Sequence, residues 1–408
     1  MDARPRSLHG RADAITDGVF PAKMPTMFTR RCPLPERSCF LLGPRGTGKS
    51  TWIRAAVRPD VSYDLLDATE AIRLAAAPGL LARETARLPA GSWVAIDEIQ
   101  KVPALLDEVH RLIESRRLRF VLSGSSARKL RRGGTNLLAG RADMKQLFPL
   151  VSAEIGPGVD IDRMIEYGSL PMAVTGGDPQ AFLRSYALTY LQEEIRAEAL
   201  TRNLGGFARF PEVAARQNAQ LINAAGIARD AGVSRQSVQN WFEILVDTLL
   251  GSWLPAWKLK RATKQVSHPK FYLFDSGVAR ALSGRLPYPC TPEERGGLLE
   301  TLVHNELCAY LEYSGLAFPL FFWRTPDGVE VDFLCETATG YAAIEVKAAT
   351  AWRAAASRGP ARLSSELGPK KACSFGVYLG AREARYEPCR VLPITEFLRR
   401  LWDGEILG

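Results

Sequence analysis

The 408-residue chain contains no Cys-x-x-Cys pair and no histidine at a zinc-ligand spacing, so a zinc ribbon or finger is not expected. Its seven cysteines, Cys32, Cys39, Cys290, Cys308, Cys335, Cys373 and Cys389, are dispersed and odd in number. That pattern excludes a disulfide framework and points to reduced thiols in the cytoplasm. No apolar run approaches the ~18 residues of a membrane span. Met1 to Met27 carries basic residues with no continuous apolar stretch behind them, so it is not a secretory signal, and Asp2, Asp13 and Asp17 argue against a transit peptide. Residues 1–26 read as a loosely held extension or an over-called translation start. No repeat of fixed period is present, which excludes a solenoid.

What is present is ordinary globular composition, 46% hydrophobic and 24% charged, in a chain long enough for two or three domains. The net charge of +9 permits a polyanion partner without demanding one; drift in composition gives the same value.

Cys39–Leu42 is a short apolar run ending in Gly43-Pro44-Arg45-Gly46-Thr47-Gly48-Lys49-Ser50, and Thr51 to Val57 follows with helical character. Tyr63–Leu66, Trp93–Ile96 and Phe120–Leu122 read as further strands, with helical stretches over 70–88 and 105–113 between them. This alternation predicts a parallel sheet with helices on both faces. From Glu154 to Phe210 the pattern turns helical, most strongly over Tyr186–Leu200.

The glycine-rich stretch matches G-x-x-x-x-G-K-[ST] in its required context, after a strand and before a helix. Glycines let backbone N–H groups turn inward around phosphate oxygens, and the following helix aims its positive end at the anion. The residues from Gly43 to Thr51 are expected to bind ATP, with Lys49 on the β and γ phosphates and Ser50 on Mg²⁺. Asp97, at the carboxyl end of the Trp93–Ile96 run, is expected to hold the shell of that Mg²⁺, and Glu98 to orient or deprotonate the attacking water. The adjacent acids favour hydrolysis over nucleotide sensing. Ser125 or Ser126 is the candidate contact to the γ phosphate or the water. Beyond the basic run Arg128, Lys129, Arg131 and Arg132, Arg141 is the arginine expected to steady transition-state charge, from this protomer or a neighbour in a homo-oligomer.

These residues carry a resemblance. Gly43–Ser50, Ala95–Gln100, Leu122–Ser126 and Leu138–Arg141 with Pro149-Leu150 are similar to the AAA-type P-loop ATPases of bacteria and archaea that have a C-terminal domain of unknown function. Downstream, Trp241–Trp253, His268–Tyr272 and Val331–Lys347 resemble the same family, so the likeness covers nearly the whole chain after residue 27. It implies architecture and ATP binding more firmly than a biological role.

Residues 226–241 read as helix, tight turn at Gly232, and a second helix capped by Ser234. Arg235, Gln236, Gln239 and Asn240 on the second helix suit base edges and phosphates, so DNA contact is one reading; a packing or oligomer element is the other. Trp241, Trp253 and Trp257 are expected in the core. A basic linker, Lys258, Lys260, Arg261 and Lys264, follows.

After a helix over 297–312, strands are expected at 319–324, 329–335 and 341–347, then a helical or irregular tail. Alternation puts Glu345 and Lys347 on one face, and a hairpin brings Asp332 beside them. Two carboxylates and a lysine can hold a divalent metal and steady a hydroxide, with Asp332 and Glu345 as ligands. The set resembles the D…E-x-K core of restriction-endonuclease-like nucleases, with Glu300 as the extra acid and Glu306 as its alternative.

The expectation is therefore an α/β protein: a P-loop parallel-sheet ATPase domain at 27–156, a helical winged-helix connector at 157–264, and a smaller restriction-endonuclease-like domain at 265–408. ATP and Mg²⁺ are the expected cofactors and DNA the expected partner. An ATP-regulated metal-dependent nuclease and a non-catalytic ATP-controlled interaction switch are the alternatives.

Overall fold

Apolar runs bounded by turn residues become strands that alternate with helices through the first unit. The computed structural model describes residues 28–125, 138–191, 210–258, 268–368 and 371–408. The extension 1–26, Ser126, the basic run Arg128 to Arg132, the linker residues Lys260, Arg261 and Lys264, and the expected helix past Leu191 lie outside them.

The elements of the first unit are β1 (Cys39–Leu42), α1 (Lys49–Trp52), β2 (Val61–Asp64), α2 (Ala68–Ala76), α3 (Leu80–Glu84), β3 (Trp93–Asp97), α4 (Leu105–Arg116), β4 (Arg119–Gly124) and β5 (Asp143–Gln146). The single helix expected over 70–88 is two, α2 and α3, because Pro78 cannot donate to the helical ladder. All strands pair in parallel, in the order β2-β3-β4-β1-β5. Phe40, Leu42, Val94, Ile96, Phe120 and Leu122 pack on one face; Cys39, Leu41, Ala95 and Val121 pack on the other. Burial on both faces is why these strands read as continuous apolar runs.

The middle unit comprises α5 (Ser152–Ile155), α6 (Ile161–Tyr167), α7 (Pro171–Thr175), α8 (Pro179–Ser185), α9 (Phe210–Arg216), β6 (Gln220–Leu221), α10 (Ala224–Ala231), α11 (Arg235–Asp247), β7 (Gly251–Leu254), β8 (Lys270–Leu273) and α12 (Ser276–Leu282). Gly232, at φ 65°, makes the turn between α10 and α11, and Ser234 Oγ caps α11 by accepting from Ser237 N at 3.0 Å. β6, β8 and β7 form an antiparallel three-stranded sheet. β8 thus belongs with these helices, and the expected boundary at 264/265 falls inside their sheet. Trp241 and Trp257 are buried, and Trp253 packs on Phe242 and Phe271.

The last unit comprises α13 (Pro292–Tyr313), β9 (Leu320–Arg324), β10 (Glu330–Thr337), β11 (Gly340–Lys347), α14 (Arg358–Leu367), β12 (Ala372–Tyr378), β13 (Ala384–Tyr386), β14 (Cys389–Pro393) and α15 (Ile394–Trp402). Its mixed sheet runs β13-β14-β12-β11-β10-β9, an antiparallel β9-β10-β11 meander continued by parallel β12 and β14. The tail expected to be helical or irregular therefore contains strands, obscured in sequence by the small and polar residues Ser374 and Gly376 inside β12. One apolar core runs from Met164 to Leu407, so the middle and last units are packed as one body.

α13 joins that body to the first unit. Among the described residues β5 pairs only with β1, and Leu147 N donates inward to Leu42 O at 2.7 Å. The N–H groups on either side point outward. Gln146 N donates to Glu312 Oε1 at 3.0 Å and Phe148 N to Tyr313 Oη at 3.1 Å. Ser152 N and Trp402 Nε1 both donate to Glu306, each at 2.6 Å. Glu306, the alternative acid for the C-terminal cluster, is therefore a tie between units. No helix among the described residues is long and apolar enough to cross a membrane.

Glu306→Ala leaves the Ser152 and Trp402 donors without this acceptor and is expected to cost about 2–4 kcal/mol in chemical denaturation. Burial pushes the Glu306 carboxyl up to about 7. Its pKa is higher folded than unfolded, so the stability it adds is complete below the ordinary carboxyl range and is lost as pH rises through about 7. Glu306→Gln, with no proton to lose, should flatten that stretch of the curve of melting temperature against pH; an unchanged slope would refute the assignment.

Candidate functional site

The end of β1 delivers the chain into the glycine-rich loop. Gly46 and Gly48 take φ of 78° and 91°, the left-handed region where a side chain is strained. At Gly43 a Cβ would lie 2.4 Å from Leu147 O, so only glycine lets β5's exit pass behind the loop. Lys49 folds over the loop, with Nζ donating to Gly43 O at 2.7 Å and Pro44 O at 3.0 Å. Thr47 Oγ1 donates to Pro44 O at 2.9 Å. The loop is thus closed on itself by its own lysine and threonine, which donate to its carbonyl oxygens.

Register brings the acids to it. β4 lies between β1 and β3, with Ser123 beside Leu41 and Leu122 beside Ile96. Ser123 is therefore one strand away from both the loop strand and Asp97. Its hydroxyl donates to Asp97 Oδ1, and the Ser50 hydroxyl donates to Asp97 Oδ2. Ser50 and Asp97, each expected at the Mg²⁺, thus lie in direct contact. The polar contact from β4, however, is Ser123; Ser125 lies 3.4 Å from Gln100 Nε2 instead.

Glu98 is buried and sits at φ 57°, a left-handed conformation that costs a non-glycine residue roughly 1–3 kcal/mol. Gln100 Nε2 donates to Glu98 Oε2. That contact fixes the carboxylate at the end of β3. Gly124 makes room for Gln100, whose Oε1 would stand 2.5 Å from a Cβ there.

Two residues without a sequence signal complete the cradle. Arg30 Nη1 donates to Thr47 O at 2.6 Å, Nη2 to Phe148 O at 2.6 Å, and Nε to Glu154 at 2.9 Å. Tyr186 Oη donates to Arg45 O at 2.8 Å, so the middle helices lie against the loop. Arg141 is not at this site in its own chain. It precedes β5, whose first residue Asp143 pairs with Cys39 while Gln146 pairs with Leu42, and it contacts Glu114. It stands at the opposite end of the strands, roughly 13 Å or more along them from the loop.

On α11, Arg235, Gln236 and Gln239 are exposed and Asn240 is half-buried, accepting from Gln236 Nε2 at 2.9 Å. Val238, Trp241 and Phe242 hold the opposite face in the core.

A second polar cluster gathers on β10, β11 and α13. Asp332 lies where the β9–β10 register shifts between Val331 and Leu334, and such an irregularity re-aims a side chain. Asp332 Oδ2 accepts from Val346 N at 2.9 Å and lies 3.6 Å from Lys347 Nζ, which is 2.5 Å from Glu345 Oε1. The expected Asp332, Glu345 and Lys347 do come together, and Glu300 joins them. Sequence reading missed Lys270 on β8 and Glu330. Lys270 Nζ contacts Glu330 Oε1 and lies 3.3 Å from Glu300 Oε2 and 3.6 Å from Asp332 Oδ1. Tyr272 Oη also donates to Glu300, at 3.0 Å. Burial, then the Asp332 charge, pushes Glu300 up to about 7 and raises Glu345. Burial works against the Lys270 ammonium, but the surrounding acids hold its pKa well above the ordinary lysine range. Among the described residues no three His, Cys, Asp or Glu side chains are arranged to hold a metal. Asp332 and Glu345, expected as metal ligands, face ammonium groups instead.

Residues 35–156 match the family model of the AAA domain, residues 159–288 a domain of unknown function (DUF8612), and residues 295–397 a further domain of unknown function (DUF4143). The nucleotide-binding unit is thus a P-loop domain of the AAA type, which supports an ATP-binding role. The chain is similar to Uncharacterized protein Rv2008c of Mycobacterium tuberculosis, 27% identical over 321 residues that cover 75% of this chain and 69% of that protein. Uncharacterized protein Mb2031c of Mycobacterium bovis gives the same figures of 27%, 75% and 69%. The Aeropyrum pernix ORC1 protein in complex with DNA aligns at a TM-score of 0.24 and 13% identity, over 62% of this chain and 87% of that one. Can2 from Sulfobacillus thermosulfidooxidans in complex with cyclic tetra-adenylate aligns at 0.23 and 10%, over 91% and 100%. Likenesses this distant bear on neither fold nor function.

Gly43→Ala is expected to weaken binding of a fluorescent ATP analogue at least about tenfold, roughly 1.4 kcal/mol, with the circular dichroism spectrum unchanged. Lys49→Ala should weaken it further. Affinity of the Gly43 variant within about twofold of wild type would mean that the close approach of Leu147 O does not shape the cradle.

Proposed function

We propose that the protein hydrolyses ATP with Mg²⁺ at the glycine-rich loop and passes the nucleotide state to a DNA-directed body made of the middle and last units. The observation that carries this is Asp97, gripped by Ser50 from the loop helix and Ser123 from the intervening strand, with Glu98 locked beside it by Gln100. Ser50 and Asp97 would hold the metal, which neutralises charge on the phosphates when bound. Lys49 and the loop N–H groups bind and orient the phosphates. Glu98, in its strained backbone position, is aimed to take a proton from water.

The DNA-directed half rests on the middle unit. A helix, a short strand, two helices with a tight turn, and two strands joined by a long connection follow one another, an order that favours a winged-helix reading. Its α11 offers Arg235, Gln236 and Gln239 outward. The last unit favours a restriction-endonuclease-like reading: a helix, an antiparallel meander, a crossover helix and a parallel strand, with the D…E-x-K residues converging on one end.

Phosphate release measured with Mg²⁺, with and without duplex DNA, tests the proposal. Glu98→Gln should lower turnover about 100-fold or more while ATP binding persists. DNA should stimulate the wild-type chain. Arg235→Ala should weaken DNA binding and reduce its logarithmic salt slope by about one. Turnover that survives in Glu98→Gln overturns the catalytic assignment; turnover indifferent to DNA overturns the coupling.

A further inference from the structure

The carboxylate cluster of the last unit contains two lysines with different freedom. Lys347 Nζ lies 2.5 Å from Glu345 Oε1, 3.0 Å from Val346 O and 3.6 Å from Asp332 Oδ2. Those oxygens are the ones a hard cation would need. The Lys347 side chain is 40% exposed, so an entering ion can displace it toward solvent.

Lys270 has no such exit. Its side chain is 5% exposed and its ammonium lies 5.7 Å over the Phe322 ring. It stands at the start of β8, which is paired on both sides, to β6 and to β7, with Lys270 opposite Leu221 and Leu254. The next residues, Phe271 and Tyr272, are fully buried in the shared core. The backbone is thus held on both sides and the side chain has almost no path to solvent. The ammonium it holds in place meets Glu300 from α13 and Glu330 and Asp332 from β10. Arg324 adds a cation on Glu330 at 2.9 Å. The acids Glu300, Glu330, Asp332 and Glu345 thus face Lys270, Lys347 and Arg324, a near-balanced set before any metal arrives.

We infer that Lys270 is the resident cation of this cluster and closes it to divalent metal, so that the last unit works without a metal centre. A dication on Asp332 would sit against a fixed like charge that the fold cannot move, in surroundings too dry to screen it. This concerns the C-terminal cluster alone and stands whether or not the phosphate loop turns over ATP.

The test is Mn²⁺ titration of the full chain without nucleotide, followed by the electron paramagnetic resonance signal of free Mn²⁺. Ser50→Ala is included throughout to remove the loop hydroxyl as a ligand. With Lys270 present, no saturable binding is expected at millimolar Mn²⁺. Lys270→Met keeps length and loses charge. It should create one saturable site, at least about tenfold tighter than any residual binding, that Asp332→Asn removes. Its melting temperature should also rise with added Mn²⁺, while that of the Lys270 chain stays put. If Lys270→Met does not fold, Lys270→Gln, with a hydrogen-bonding head, replaces it. Saturable binding by the Lys270 chain that Asp332→Asn abolishes overturns the inference, and so does a charge-removed variant that gains no Mn²⁺ site.

Discussion

An edge strand has unpaired backbone groups, and the molecule is organised around satisfying those of β5. Because N–H groups alternate sides along a strand, pairing Leu147 inward to β1 sends the groups of Gln146 and Phe148 outward. α13 answers with side chains spaced to meet them, Glu312 and Tyr313, and Glu306 takes the next free donor at Ser152. These contacts fix the helix in both position and rotation. With its C-terminal half fixed to the P-loop unit, its N-terminal half has one place to put Glu300, against Lys270 and Tyr272. From Glu300 to Tyr313 the helix spans roughly 20 Å, so one rigid element touches both polar sites.

The phosphate side is held from behind in the same way. Arg30 fixes Thr47 O, Phe148 O and Glu154 with one guanidinium, and its ion pair is buried on both sides. A buried pair of this kind adds geometry more than net stability, since desolvation offsets much of its attraction. Its effect here is to tie the glycine loop to the segment that α13 reads. Tyr186 ties the same loop to the middle helices. A change in the loop on nucleotide binding therefore has two packed routes into the rest of the chain, and both end in the shared core.

How much of this was legible follows from where each signal lives. The loop, the apolar strands and Asp97-Glu98 are contiguous, so spacing alone located them. That Ser123 is the serine touching Asp97 was not legible, because which strand residue meets Asp97 depends on register, and register depends on β4 lying between β1 and β3. Arg141 lies away from the loop of its own chain because the direction of β5 puts it at the opposite end of the strands, which leaves a neighbouring protomer's loop as the place it could act. Arg30 and Tyr186 carry no pattern at all; their partners are backbone carbonyls and a carboxylate that only folding brings near. That β8 completes a sheet begun before residue 264 was not legible, because a strand pair distant in sequence leaves no compositional trace.

The C-terminal acids show the limit of a motif most sharply. Asp332, Glu345 and Lys347 come from adjacent strands, and a hairpin does assemble them as their spacing implies. What the spacing omits is what arrives from outside the hairpin. Lys270 comes from the sheet of the middle unit, and Glu300 from the helix that reads β5. A motif is a list of ligands; whether it is a metal site depends on the sum of charge around it, which includes every residue the fold adds. Here the fold adds a cation that cannot leave. Its removal would leave Glu300, Glu330 and Asp332 facing one another without a counter-charge between them, while its presence pins β8 to β10 and α13 together. The cluster therefore joins the middle and last units through charge as their common core joins them through packing, and the same lysine that makes the join puts a fixed positive charge where a metal would have to sit.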